Sequence, residues 1–167
     1  MTVFCLYGVG VDTERRYRYA RRAGAPPTNS DLGTIDYDFH DESFESGVES
    51  GDGDGTVPLV SMAYPCAGLW RDEALEAFNP SRAKTVLREY VHDPVPLWQD
   101  ARGGTKTAKH VEILGNSEVI KDILSIATGH DSDLRLEDRV SSDIFATAKE
   151  LSFNLVRALG PRVGAPA

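Results

Sequence analysis

Two side chains of types that move protons stand out because each sits directly after a strand candidate or turn. Asp54 stands in Gly51-Asp52-Gly53-Asp54-Gly55-Thr56-Val57-Pro58, where glycines on either side let the backbone bend and the carboxylate project. His110 opens the run His110-Val111-Glu112-Ile113-Leu114-Gly115-Asn116, on a loop leading into a helix-like stretch. A carboxylate that accepts Nδ1–H of an imidazole fixes its tautomer. It also stabilises the imidazolium formed when Nε2 takes a proton from a serine. Chemistry of that kind is acyl transfer through a covalent intermediate. On spacing alone the bland alternatives stand beside it: a turn aspartate, and a surface or packing histidine. Asp52 competes with Asp54, although two residues away along an extended segment it projects differently, as a turn residue or a support. His40, His92 and His130 compete with His110. Gly-Asp-Gly-Asp-Gly also suggests a calcium loop. Counting from Asp52, however, puts Val57 where an EF-hand needs glycine and Ala63 where it needs glutamate.

The elements that must position these groups alternate in type. Residues 2–7 are rich in β-formers and stop at Gly8-Val9-Gly10, which predicts a strand. Residues 14–19 are basic and tyrosine-rich, a second strand or a loop edge, and Gly24 to Ser30 is a turn-and-loop signal. Period-two alternation predicts a strand over 34–39, and 41–55 is acidic and glycine-rich. A short helix is expected over 71–78, stopped by Asn79-Pro80, and a strand over 85–91, stopped by Asp93-Pro94. A helix over 117–128 places Ile120, Leu124 and Ala127 along one face, with Val119 and Ile123 beside them. Asn116 or Ser117 caps it, and Gly129 sits at C′. The last helix starts near Ser141 or Ser142, buries Ile144, Phe145, Ala148 and Leu151, and ends around Leu159. Strands alternating with helices predict an α/β class with a β-rich early excursion.

Composition narrows the function. The 167 residues carry 18 Lys+Arg against 26 Asp+Glu, a net charge of −8, which argues against a broad nucleic-acid surface. No apolar run reaches the roughly 18 residues a bilayer span needs. The chain has two cysteines, Cys5 and Cys66, and no CxxC pair, so a structural zinc site has no support. Two buried thiols and one disulfide are both compatible with composition. An acid followed by a histidine matches the chain order of α/β-hydrolases, which runs Ser, Asp, His. Yet no Gly-x-Ser-x-Gly elbow occurs, and without a nucleophile an Asp–His pair forms no acyl-enzyme. The expectation is therefore the downstream part of an enzyme, or a non-catalytic product.

Several blocks in order resemble the lecithin:cholesterol acyltransferase-like family, most closely its phospholipid:diacylglycerol acyltransferase branch. They are Cys5 to Gly10 with Thr13-Glu14-Arg15, Gly51 to Leu59, Asn79-Pro80-Ser81, Arg88-Glu89-Tyr90 with His92, Arg102-Gly103-Gly104, His110 to Asn116 and Asp138 to Phe145. The resemblance implies that residues 1–159 are the C-terminal portion of one α/β-hydrolase domain, with 160–167 a flexible tail. It makes Asp54 the triad acid and His110 the base, and it pairs Cys5 with Cys66 in an oxidising lumen, that of the endoplasmic reticulum. It implies phospholipid and diacylglycerol as substrates, no cofactor and no metal, with membrane attachment, oxyanion loop and serine supplied from elsewhere. A phospholipase or sterol acyltransferase on the same scaffold is the neighbouring alternative. This chain alone is expected to be inactive.

Overall fold

The structure is a computed structural model that describes residues 1–21, 32–129 and 136–160. Its centre is one parallel strand pair, β1 (Thr2–Val9) beside β6 (Lys84–Val91), in register from Thr2 opposite Lys84 to Val9 opposite Val91. Parallel neighbours need a long crossover, and residues 10–83 supply it. The first part of that crossover is the β excursion: β2 (Val11–Tyr17), β3 (Tyr19–Arg21), β4 (Leu32–Ile35) and β5 (Val48–Gly53). β2 pairs antiparallel with β5, and β3 with β4. The second part is helical: α1 (Leu59–Tyr64), continued by a π turn over Pro65–Leu69, then a kinked 3-10 segment over Glu73–Phe78. After β6 come a 3-10 turn at Glu112–Gly115, α2 (Ser117–Thr128) and α3 (Ile144–Leu159).

The two strands are packed on both faces. On one side Tyr7, Val9 and Leu87 meet Leu59 and Ala63 of α1, Cys66 and Ala67 of the π turn, and Ile144 and Ala148 of α3. On the other, Tyr90 packs with Ala108 and with Val119 of α2, flanked by Leu6 and Ile113. Helices on both faces of a parallel pair are the α/β layering the alternating pattern predicts. A disulfide joins Cys5 of β1 to Cys66, 61 positions away. In the chain-entropy model a loop of that length contributes about 4 kcal/mol.

Several expectations change. The strand predicted over 34–39 is β4, which ends at Ile35; the chain then turns, with Tyr37 N–H donating to the Ile35 carbonyl and Phe39 N–H to that of Asp36. Phe39 serves a cluster instead of a pleat, packing edge-on to Phe44 and lying under the Arg18 guanidinium, while Tyr37 is exposed. The acidic stretch 41–55 contains a strand, β5, because its inward carboxylate Glu49 is neutralised by Arg15 and Arg16 of β2. Of residues 14–19, Glu14 to Tyr17 finish β2 and Tyr19 begins β3, with Arg18 between the two strands. The 71–78 helix is a 3-10 segment broken at Leu75. Of the two α2 cap candidates it is Asn116 whose side chain accepts Glu118 and Val119 N–H, and Gly129 takes the left-handed φ of +59°. Only Val119 of the α2 apolar face is buried; Ile120, Ile123, Leu124 and Ala127 are exposed. α3 starts at Ile144, after both serines, and buries Ile144, Ala148 and Ser152. Phe145 is exposed instead of buried, with the Arg71 guanidinium over its ring, and Leu151 is half-buried. The loop signal over 24–30 and the tail over 161–167 lie outside the described residues. No described helix is long and apolar enough to cross a membrane.

Candidate active site

Because β1 and β6 run parallel, both finish at the same end of the sheet, and the loops that leave them meet there. β6 feeds residues 92–109 directly into His110. Asp54 arrives by the longer route, since β5 returns antiparallel along β2 and ends at Gly53. That return bridges Asp54 to Val11, just past the end of β1. Pairing within the excursion therefore decides where the carboxylate lies.

The two side chains meet: His110 Nδ1 is 2.7 Å from Asp54 Oδ2. A carboxylate only accepts, so Nδ1 carries the proton and Nε2 is left as the basic nitrogen. The His110 N–H also donates to the Asp54 carbonyl at 2.9 Å, which ties the two backbones together. The other oxygen, Asp54 Oδ1, accepts the N–H groups of Thr56 at 2.9 Å and Val57 at 2.7 Å. Asp54 is 5% exposed, whereas the His110 side chain is 48% exposed. The carboxylate is thus buried behind a half-open imidazole. Burial pushes the Asp54 carboxyl up, but the His110 bond and the two amide bonds outweigh it and hold the group below the ordinary carboxylate range. Its charge is therefore present wherever the imidazole needs it.

Close backbone packing keeps the turn in place. Thr13, 2% exposed, accepts Gly55 N–H at 2.8 Å through Oγ1 and donates that hydroxyl to the Val11 carbonyl. A Cβ on Gly53 would lie 2.5 Å from both Thr13 Oγ1 and the Val57 carbonyl, so only glycine fits. Gly8 does the same for the histidine loop: a Cβ there would lie 1.9 Å from the Ala108 carbonyl oxygen. Sequence reasoning assigned neither Gly8 nor Thr13 to the site. Thr13 lies 41 positions from Asp54, and no local pattern links them.

The competitors go elsewhere. Asp52 is exposed and its Oδ1 accepts Gly10 N–H at 2.6 Å, which braces the turn from β1 to β2. His40 Nδ1 accepts Ser46 N–H, His92 Nδ1 accepts Ala108 N–H, and His130 lies outside the described residues. Val57 and Ala63, the positions at odds with a calcium loop, lie in a turn and in α1. Among the described residues no three His, Cys, Asp or Glu side chains group as metal ligands would. A cavity of about 930 Å³ lies at the opposite end of β6, lined by Trp70, Arg71, Glu76, Arg82, Lys84 and Asp138 among others. Neither Asp54 nor His110 lines it.

The family model for lecithin:cholesterol acyltransferase matches residues 1–117, a span that contains both Asp54 and His110. Phospholipid:diacylglycerol acyltransferase 1 of Arabidopsis thaliana is 37% identical over 159 residues, covering 93% of this chain and 23% of the relative. The phospholipid:diacylglycerol acyltransferase of Schizosaccharomyces pombe is 33% identical over 158 residues, 94% of this chain and 23% of the relative. That of Saccharomyces cerevisiae is 36% identical over 153 residues, 92% and 21%. The chain thus spans less than a quarter of the length of these relatives, in their C-terminal part. No solved structure matches it. Over most of its length, and through the loops that bring Asp54 to His110, this chain belongs to the lecithin:cholesterol acyltransferase family.

Proposed function

We propose that residues 1–159 are the C-terminal part of a single α/β-hydrolase catalytic domain, and that they supply the acid and base of an O-acyltransferase. The enzyme moves a fatty acyl group from a phospholipid to diacylglycerol and yields triacylglycerol and a lysophospholipid. The observation that carries this reading is the 2.7 Å bond from a half-open imidazole to a buried aspartate, at the end of a parallel strand pair. The names of the relatives supply the substrate classes.

In this mechanism a serine from outside these residues attacks the phospholipid ester while His110 Nε2 takes its proton. The protonated imidazole, stabilised by Asp54, returns that proton to the departing lysophospholipid oxygen. Nε2 then takes the proton of the diacylglycerol hydroxyl, which attacks the acyl-enzyme and regenerates the serine. Transfer outcompetes hydrolysis when the pocket excludes water. The proposed compartment is the lumen of the endoplasmic reticulum, an oxidising space in which the Cys5–Cys66 bridge persists. Membrane attachment comes from segments outside this chain, and the acidic balance makes nucleic acid an unsuitable partner.

The test is an acceptor assay with the complete enzyme and an acyl-labelled phospholipid. Label in triacylglycerol when diacylglycerol is added is the expected result. Label in sterol ester would make the enzyme a sterol acyltransferase, and label in free fatty acid with any acceptor a phospholipase. His110→Ala lowers turnover by about 10⁴-fold or more; near-normal turnover would remove His110 from the mechanism.

A further inference from the structure

His92 begins the loop that ends in His110. Its own N–H donates to the Val9 carbonyl at 2.9 Å, continuing the β1–β6 ladder by one step. Its ring turns to the loop's other end, where Nδ1 takes the Ala108 N–H at 3.0 Å. Ala108 is fully buried, two residues before His110. An amide only donates, so Nδ1 must be unprotonated and Nε2 carries the hydrogen. The same stretch has other anchors: the Thr107 carbonyl accepts Asn116 Nδ2 at 2.9 Å, and His110 N–H meets the Asp54 carbonyl. Those are held by groups that do not titrate near neutrality. The anchor on Ala108 depends on a proton.

We propose that His92 is a positioning residue for His110: its neutral imidazole holds the Ala108 amide, and with it the loop geometry in which His110 meets Asp54. The hydrogen-bonding part of this stands by itself; its consequence for turnover rests on the proposed function. Protonated His92 would turn an N–H toward the Ala108 N–H, and two donors repel, so acid releases the loop. Several charges face the ring. Lys109 disfavours its protonation, while Asp93 and Glu112 favour it. Lys106 pairs with Asp93 at 3.1 Å. Across the cleft that His92 lines with Asn116, Glu118 pairs with Arg139 at 2.8 Å. Burial is the largest influence and, with Lys109, pushes the imidazole below its ordinary value, so the neutral form prevails at pH 7. A folded-state value that is lowered means the anchor is present above the unfolded pKa of about 6.5. It is lost as pH falls through the folded value.

The experiment compares wild type, His92→Asn and His92→Phe in the complete enzyme, by two readouts. Asparagine can place a carboxamide oxygen near the Nδ1 position and accepts at every pH; phenylalanine keeps the bulk and cannot accept. The protection factor of the Ala108 amide, the exchange rate divided into that of a free amide at the same pH, is expected to be high in wild type at neutrality and low in acid. It stays high throughout in His92→Asn and low throughout in His92→Phe. For turnover, His92→Phe lowers kcat about 10–100-fold with little change in KM, and His92→Asn stays within about threefold of wild type. The acid limb of log(kcat/KM) is expected to be less steep in His92→Asn than in wild type, because protonation at position 92 no longer contributes to it. An Ala108 amide equally protected in His92→Phe, or an acid limb as steep in His92→Asn as in wild type, overturns the proposal. If His92→Phe does not fold, the wild-type and His92→Asn profiles decide alone. Full activity in His110→Ala would instead remove the proposed function and leave the amide result intact.

Discussion

At Asp54 and Asp52, two carboxylates separated by one glycine have opposite surroundings. Asp54 is buried and accepts from an imidazole and two amides, while Asp52 is exposed and braces a turn. Asp54→Asn removes the charge that stabilises the imidazolium and offers Nδ1 the wrong partner. Turnover of the complete enzyme is expected to fall about 10³–10⁴-fold, against less than about threefold for Asp52→Asn. The reverse ranking in steady-state assays would reassign the acid. Glu89 is another carboxylate whose environment demands charge. It is 3% exposed on β6 and accepts five hydrogen bonds, from Tyr7 Oη and from the N–H and hydroxyl groups of Ser141 and Ser142. Burial pushes its pKa up, but these donors prevail and hold it below the ordinary glutamate range. A lowered folded value means the stabilisation is full above the unfolded pKa of about 4.3 and disappears as pH falls through the folded value. Glu89→Gln is expected to cost about 2 kcal/mol at pH 7 and to flatten the acid limb of Tm against pH. An unchanged acid limb would show that the charge is not what the serines hold.

At the scale of elements, the geometry of the site depends on a strand touching a loop. Gly8 sits in β1 opposite Tyr90, and its missing side chain is what lets the Ala108 carbonyl approach. The clash a methyl would meet is with backbone, so no rotamer change relieves it. Gly8→Ala is therefore expected to move the 92–109 loop and to lower turnover at least about tenfold, with a stability loss of about 2 kcal/mol. A variant as active as wild type would place the loop farther from β1 than the structure has it. Asn116 joins a second pair of elements, capping α2 with its oxygen and binding the Thr107 carbonyl with its nitrogen. One residue thus sets both where α2 starts and where the histidine loop ends.

For the whole molecule, the uneven burial of α2 is the informative feature. Val119 is in the core, but Ile120, Ile123 and Leu124, which lie on or beside the helix's apolar face, are 43%, 47% and 57% exposed. The chain by itself is expected to bind a hydrophobic dye. Ile120→Lys with Leu124→Glu should reduce that binding without lowering Tm by more than a few degrees, because neither side chain contributes much buried area. Dye binding that is unchanged would locate the exposed apolar surface elsewhere. Much of this molecule was legible locally. β1, β6 and the α2 caps follow from short-range propensity and from the needs of helix ends, which a dozen residues contain. So does a glycine-flanked Asp54 on a sharp turn. What the chain order of residues could not decide was distance. β5 is a strand because two arginines from β2 neutralise Glu49, and α3 leaves Phe145 outside because Ile144, Ala148 and Ser152 form the face that fits. The bond between residues 54 and 110 forms because parallel strands end together and the excursion folds back on itself. Residue types and their spacing determined which groups could pair; only tertiary pairing, which brings distant segments within hydrogen-bond range, decided which of them do.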